Sequence, residues 1–168
     1  MKKRLTLLQM DVHVNDVEYN YNRVQELLTQ SLAENPDIIV LPETWNTGFH
    51  PSDDLITIAD RNGERTKSLL SAFAKEHNVN IVGGSVAVAK DDLVFNTSYA
   101  YNREGALVGE YSKMHGFSPA KEDKYFANGT HTTHFKLDRI PCSTVICYDI
   151  RFPELVRMAA LPGTELLF

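Results

Sequence analysis

The sequence predicts an α/β fold in which helices cover a mostly buried sheet. Two observations carry that reading. Short apolar runs alternate with segments of helical period, in the order β-α-β-α-β-β-β, an irregular stretch, then β-β-α-β. Some apolar runs are also continuous, as in Ile38-Ile39-Val40-Leu41, which suits strands buried on both faces.

Arg4 to Met10 reads as the first short strand. Asn15 or Asp16 offers a helix cap, with Glu18 placed as a capping-box partner for Asn15. Tyr21, Val24, Leu27, Leu28 and Leu32 follow at helical spacing, so an amphipathic helix should run to about Asn35. Pro36-Asp37 breaks it, and residues 38–41 form the second strand. Residues 42–60, rich in Pro, Gly, Asn and Asp, read as a long loop. Gly63 to His77 is a second helix with Leu69, Leu70 and Phe73 on its inner face. Val79–Val88, Leu93–Tyr101 and Leu107–Tyr111 read as successive strands, the last two joined by Asn102-Arg103-Glu104-Gly105. Residues 113–130 have no clean period and are expected to be irregular. His131–Leu137 and Ile140–Ile146 are strands around Asp138-Arg139. Pro153 opens a helix to about Ala160, and Glu165–Phe168 begins another strand.

With 22 acidic and 17 basic residues the net charge is −5, which argues against a broad nucleic-acid surface. A hydrophobic content of 43% supports a sizeable core. No stretch approaches the roughly 18 apolar residues that suggest a membrane span. The apolar run after Lys2-Lys3-Arg4 is too short for a signal peptide. The expected setting is cytoplasmic, without nucleic acid or membrane as partner. Cys142 and Cys147 would lie about 16 Å apart along one strand, too far for a disulfide. Their odd spacing sends them to opposite faces, so their environments should differ.

Three side chains stand at the ends of apolar strands. Cys147 closes the run 143–147 and leads through a compact turn to the helix at Pro153, the logic of a nucleophile elbow. Glu43 follows the strand 38–41, at the rim where α/β proteins build their sites. Lys113 follows Leu107–Tyr111 in the same way. Taken singly, each has an ordinary alternative: a buried thiol, a solvated loop glutamate, a surface lysine.

Together the segments around Glu43, Lys113 and Cys147 resemble the three signature regions of the nitrilase, or carbon–nitrogen hydrolase, superfamily, in order and in interval. Leu41-Pro42-Glu43-Thr44-Trp45-Asn46-Thr47-Gly48-Phe49 and Cys147-Tyr148-Asp149-Ile150-Arg151-Phe152-Pro153-Glu154 look most like the omega-amidase branch. The resemblance implies a four-layer α-β-β-α sandwich and a catalytic set of Glu43, Lys113 and Cys147. It adds a second glutamate, at the position Glu122 occupies. Complete members are longer, so residues 1–168 are expected to form one carbon–nitrogen hydrolase domain with its C-terminal part missing.

The chemistry so implied needs no metal or organic cofactor. Glu43 takes the thiol proton, and Cys147 attacks an amide carbonyl. Lys113 and the Tyr148 backbone N–H stabilise the oxyanion, and Glu122 helps proton traffic. Ammonia leaves before water releases the acid from a thioester. Trp45, Phe49 and Phe117 are expected to wall the substrate pocket, and Arg151 with Glu154 to form an ion pair holding the elbow. His115 offers an alternative Cys–His pairing with Cys147. His131 and His134, at i, i+3 on a strand, face opposite ways and do not suggest a metal site. The expected substrate is a small carboxamide, an omega-amide of a 2-oxo acid by resemblance, and the full-length protein is expected to be a homodimer. Other readings stay open: a catalytically silent truncated homologue or partner protein, a nitrilase, or a thiol acyltransferase on the same residues.

Overall fold

A computed structural model describes residues 2–168. The first strand, β1 (Leu5–Leu7), is shorter than the apolar run that announces it. Asp16, not Asn15, caps the first helix, α1 (Val17–Ser31), by accepting the Tyr19 N–H at 3.1 Å. Glu18 leaves the expected capping box and pairs with Arg65 instead. A 3₁₀ turn, Leu32–Glu34, extends α1 to Asn35, whose left-handed backbone ends it near the expected position.

Strand β2 (Ile38–Val40) lies parallel to β1 and to β4 (Asn80–Val82). The expected long loop carries a short helix, α2 (Leu55–Ile58), and a two-residue strand, β3 (Asp60–Arg61). Helix α3 (Glu64–His77) follows. The expected strand 79–88 is interrupted: β4 ends at Val82, and β5 (Val86–Lys90) resumes after residues 83–85. Both pair antiparallel with β6 (Leu93–Tyr101), Val82 opposite Ala100 and Val86 opposite Thr97, so the register slips by one residue between them. Strand β7 (Leu107–Ser112) pairs with β6 and completes a seven-stranded sheet. Residues 113–130, expected to be irregular, contain a 3₁₀ turn at Ser118–Ala120 and the short helix α4 (Glu122–Tyr125). A second sheet, in the order β10-β9-β8, is built from β8 (His134–Leu137), β9 (Ile140–Ser143) and β10 (Leu166–Leu167). Helix α5 (Pro153–Ala160) starts at its proline as expected.

Strand alternation divides the core into layers. Ile39, Ile81 and Tyr101 face α1 and α3, where Tyr21, Val24, Leu28, Leu70 and Ala74 meet them. Their neighbours Ile38, Val82 and Ala100 point the other way and pack on Phe135, Leu137 and Cys142 of the second sheet. The order is therefore helices, sheet, sheet. At the lower rim, Lys3 and Arg103 share Asp138 at 2.8 and 2.7 Å and also reach Asp37, tying the two sheets together. The side-chain bond from Arg103 leads in holding the Asp138 carboxyl well below the usual carboxylate range.

The slip between β4 and β5 shapes the opposite rim. Ser85 N–H donates to the Pro42 carbonyl at 3.0 Å, Trp45 N–H to the Ser85 carbonyl at 3.2 Å, and the Trp45 indole N–H to the Gly83 carbonyl at 2.9 Å. The Ser85 hydroxyl accepts the Thr44 N–H at 3.0 Å. Gly84 has φ +56°, and a Cβ built there would overlap the Pro42 carbonyl oxygen. Only glycine fits this close approach.

Two outcomes follow from these rims. Gly84→Ala should cost about 3 kcal/mol or more in urea unfolding, from left-handed strain and backbone overlap combined. Because the Asp138 pKa is lowered on folding, its stabilisation is present above the ordinary aspartate value of about 4 and is lost as pH falls through the folded-state value. Asp138→Asn should lower stability at neutral pH and flatten that acid-side loss, read from unfolding curves between neutral and strongly acid pH.

Candidate active site

Glu43 follows β2 by three residues, Lys113 follows β7 directly, and Cys147 stands just beyond β9. The upper rim brings them together. Lys113 Nζ donates to Glu43 Oε1 at 2.9 Å and lies 3.0 and 2.8 Å from the two oxygens of Glu122. Glu122 Oε2 also accepts the Phe117 N–H at 2.7 Å. The Lys113 and Glu122 side chains are only 3% and 2% exposed. Burial alone would lower the Lys113 pKa, but its bonds to Glu122 and Glu43 outweigh that and hold it above the ordinary lysine value. The lysine is therefore a fixed positive charge at neutral pH.

Cys147 opens a 3₁₀ turn, Cys147–Arg151, with φ +48°. A left-handed non-glycine residue costs about 1–3 kcal/mol and persists only when its surroundings hold it. Cys147 is exposed, whereas Cys142 is buried in β9. Desolvation pushes the Cys147 thiol up to about 11; the charge of Glu43 and a hydrogen bond to it add to the rise, and Lys113 opposes it. At neutral pH the sulfur is thus a neutral thiol beside a carboxylate. The Tyr148 N–H makes no backbone hydrogen bond among the described residues, which leaves it available beside the sulfur.

Asp149, fully buried, holds this turn in place. Its Oδ2 accepts the Tyr111 hydroxyl at 2.6 Å and the Ile146 N–H at 3.1 Å. Its Oδ1 accepts the His115 N–H at 2.9 Å and lies 2.8 Å from His115 Nδ1. One carboxylate thereby joins the cysteine turn to the segment 111–115 that carries Lys113. Burial first, then the bond to Asp149, pushes the Tyr111 pKa far above the ordinary tyrosine range, so its hydroxyl stays a donor.

Several expectations need correction. Trp45 does not wall a pocket: it is fully buried, packed edge-on against Tyr21, because its indole N–H bonds to Gly83 on the core side. Phe49 is 37% exposed and packs edge-on against His50. Phe117 does adjoin the elbow, its ring 5.1 Å from that of Tyr148. His115 is engaged by Asp149 and stacks on Phe152 at 3.6 Å, which disfavours its pairing with the thiol. Arg151 and Glu154 form no ion pair among the described residues; Asp149 does the work assigned to them. A cavity of about 130 Å³ lies between the sheets, with Leu41, Val82, Ile146 and Phe168 among its walls beside Glu43 and Cys147.

Sequence reading overlooked Asn96, whose Nδ2 donates to Glu43 Oε1 at 3.0 Å, as well as Tyr111 and Asp149. A signal for Asn96 did exist. A polar side chain in a strand buried on both faces needs a partner, and Asn96 is 1% exposed.

The same architecture occurs in the crystal structure of an amidase from Nesterenkonia sp., at a TM-score of 0.85 over 98% of this chain and 63% of that one, with 21% identity. This is a nitrilase-type α/β fold. The carbon-nitrogen hydrolase family model matches residues 4–168, and the chain belongs to that family. It is 38% identical over 168 residues to a 2-oxoglutaramate amidase of Bacillus subtilis, covering 100% of this chain and 64% of that protein. It is 29% identical over 178 residues to an omega-amidase of Danio rerio, covering 99% and 62%. The chain thus spans less than two thirds of the length of these relatives.

The Asp149 network generates a graded outcome. Asp149→Asn places an amide donor against donors and should cost about 3 kcal/mol. Tyr111→Phe removes one bond to a carboxylate and should cost about 1.5–3 kcal/mol. Chemical denaturation of the two variants checks the order.

Proposed function

We propose that the complete protein is an amidase that cleaves the C–N bond of a small carboxamide through a thioester on Cys147. One observation carries the reading: a buried ammonium, Lys113, shared by Glu43 and Glu122, with Glu43 lining one cavity with a thiol held in a left-handed turn. Because the thiol is neutral at rest, attack requires a base. Glu43 accepts the Sγ proton as sulfur bonds to the carbonyl carbon. The developing oxyanion meets Lys113 Nζ and the Tyr148 N–H, two preorganised donors whose individual loss costs roughly 3–4 kcal/mol in comparable sites. Collapse of the tetrahedral adduct breaks the C–N bond, and the nitrogen leaves as ammonia with the proton from Glu43. Glu43 then takes a proton from water, whose oxygen attacks the thioester, and the acid departs as the thiol re-forms. Glu122 keeps Lys113 charged and aimed throughout.

The substrate we propose is an omega-amide of a 2-oxo dicarboxylic acid. Its support is the likeness to the two relatives named above and to the omega-amidase motifs at 41–49 and 147–154.

The test is ammonia release and acyl-adduct mass spectrometry in the full-length protein. Cys147→Ala should abolish both signals. Lys113→Ala should lower kcat about a hundredfold or more, and Glu43→Gln should remove turnover while substrate still binds. Oxo-acid amides should react and the matching nitriles should not. Near-normal kcat in Lys113→Ala, or faster release from nitriles, would overturn the reading.

A further inference from the structure

We propose that Asn96 is a positioning residue that decides which oxygen of Glu43 faces the Cys147 thiol. The proposal rests on the reading of Glu43 as the base and extends it to the geometry of that base. Asn96 lies in β6, is 1% exposed, and pairs with Ala87 in the ladder. Its Nδ2 donates to Glu43 Oε1 at 3.0 Å, and Lys113 Nζ donates to the same oxygen at 2.9 Å. Its backbone carbonyl also accepts the Lys113 N–H at 2.9 Å. One residue therefore sets both the charged group and the carboxylate that the charged group holds.

The convergence on Oε1 is the informative part. A carboxylate oxygen has about two acceptor sites, and here two donors claim them. Oε2 is then the oxygen left to receive the Sγ proton. Lys113 alone would not enforce this, because an ammonium is a point charge with rotatable donors and does not fix the plane of its partner. The Asn96 amide, anchored in a strand, is directional and does. Stability alone does not account for this side chain. Its Oδ1 is buried without a hydrogen-bond partner among the described residues, a cost an apolar residue would avoid.

Alkylation of Cys147 by iodoacetamide tests this without relying on turnover. In that reaction the S–H proton passes to Glu43 Oε2, sulfur bonds to the methylene carbon, and iodide leaves. Labelling is read per cysteine by peptide mass spectrometry, at pH 7 and in short pulses near the thiol's own pKa of about 11. At pH 7, Asn96→Ala and Asn96→Asp should each label Cys147 about tenfold or more slowly than the native chain, because base assistance is lost. In the pulses at high pH, where hydroxide ionises the thiol, the variants and the native chain should label alike. Buried Cys142 should stay protected in the pH 7 experiment.

Native-like labelling at pH 7 in either variant overturns the proposal. Exposure of Cys142 in both variants also overturns it, since Asn96 would then hold the strand and not the carboxylate. Glu43→Gln separates the two levels. If it labels as fast as the native chain, the reading of Glu43 as base fails as well. If it is slow while the Asn96 variants are fast, only the role of Asn96 fails.

Discussion

An ammonium group taken out of water must find its counter-charge inside the protein, and Lys113 is such a group. Desolvation works against its charged form, so Glu43 and Glu122 have to be close and correctly aimed for the charge to survive. Two carboxylates around one ammonium leave an excess of acceptors. The Asn96 amide and the Phe117 N–H absorb part of that excess. A buried cluster of this kind tolerates little displacement, because removing one member strands the others in a medium that cannot solvate them. The rest of the rim can be understood as the structure that keeps these groups from moving.

That structure is mostly backbone. The Glu43 loop is held by the slipped register between β4 and β5, where Gly84 lets two chains approach closely and Ser85 bonds to Pro42, Thr44 and Trp45. The Cys147 turn is held by Asp149, whose acceptor bonds offset the strain of a left-handed cysteine. Asp149 also reaches the segment carrying Lys113, so the thiol and the ammonium share one anchor. The raised pKa of Cys147 follows from the same arrangement. Desolvation and a neighbouring carboxylate favour the neutral thiol, and only the lysine opposes them. Such a sulfur is protected from indiscriminate reaction until a base removes its proton.

Much of this was legible along the chain. Helical spacing located α1 and the inner face of α3, Pro153 marked the start of α5, and short apolar runs located most strands, because burial shows along the chain as a stripe in a helix and as a continuous run in a strand covered on both faces. Strand-end position picked out Glu43, Lys113 and Cys147, since these residues follow elements whose ends are themselves visible, whereas Glu122 came only from the family resemblance. Glycine and proline marked several turns, although the Gly83-Gly84 pair was passed over inside what looked like one strand.

Only the tertiary structure decided which side chains serve which. The bond from Asn96 to Glu43 spans 53 positions and that from Tyr111 to Asp149 spans 38, and no local pattern encodes such a meeting. Trp45 sits in a motif beside Glu43, yet its indole turns into the core because its acceptor, the Gly83 carbonyl, lies 38 positions away. The sequence by itself determined the chemical kit and the elements that carry it. Whether each polar member joined the Lys113 cluster, became an anchor or turned into the core was settled by long-range hydrogen bonding, because a buried donor or acceptor must be satisfied by whatever the fold brings beside it.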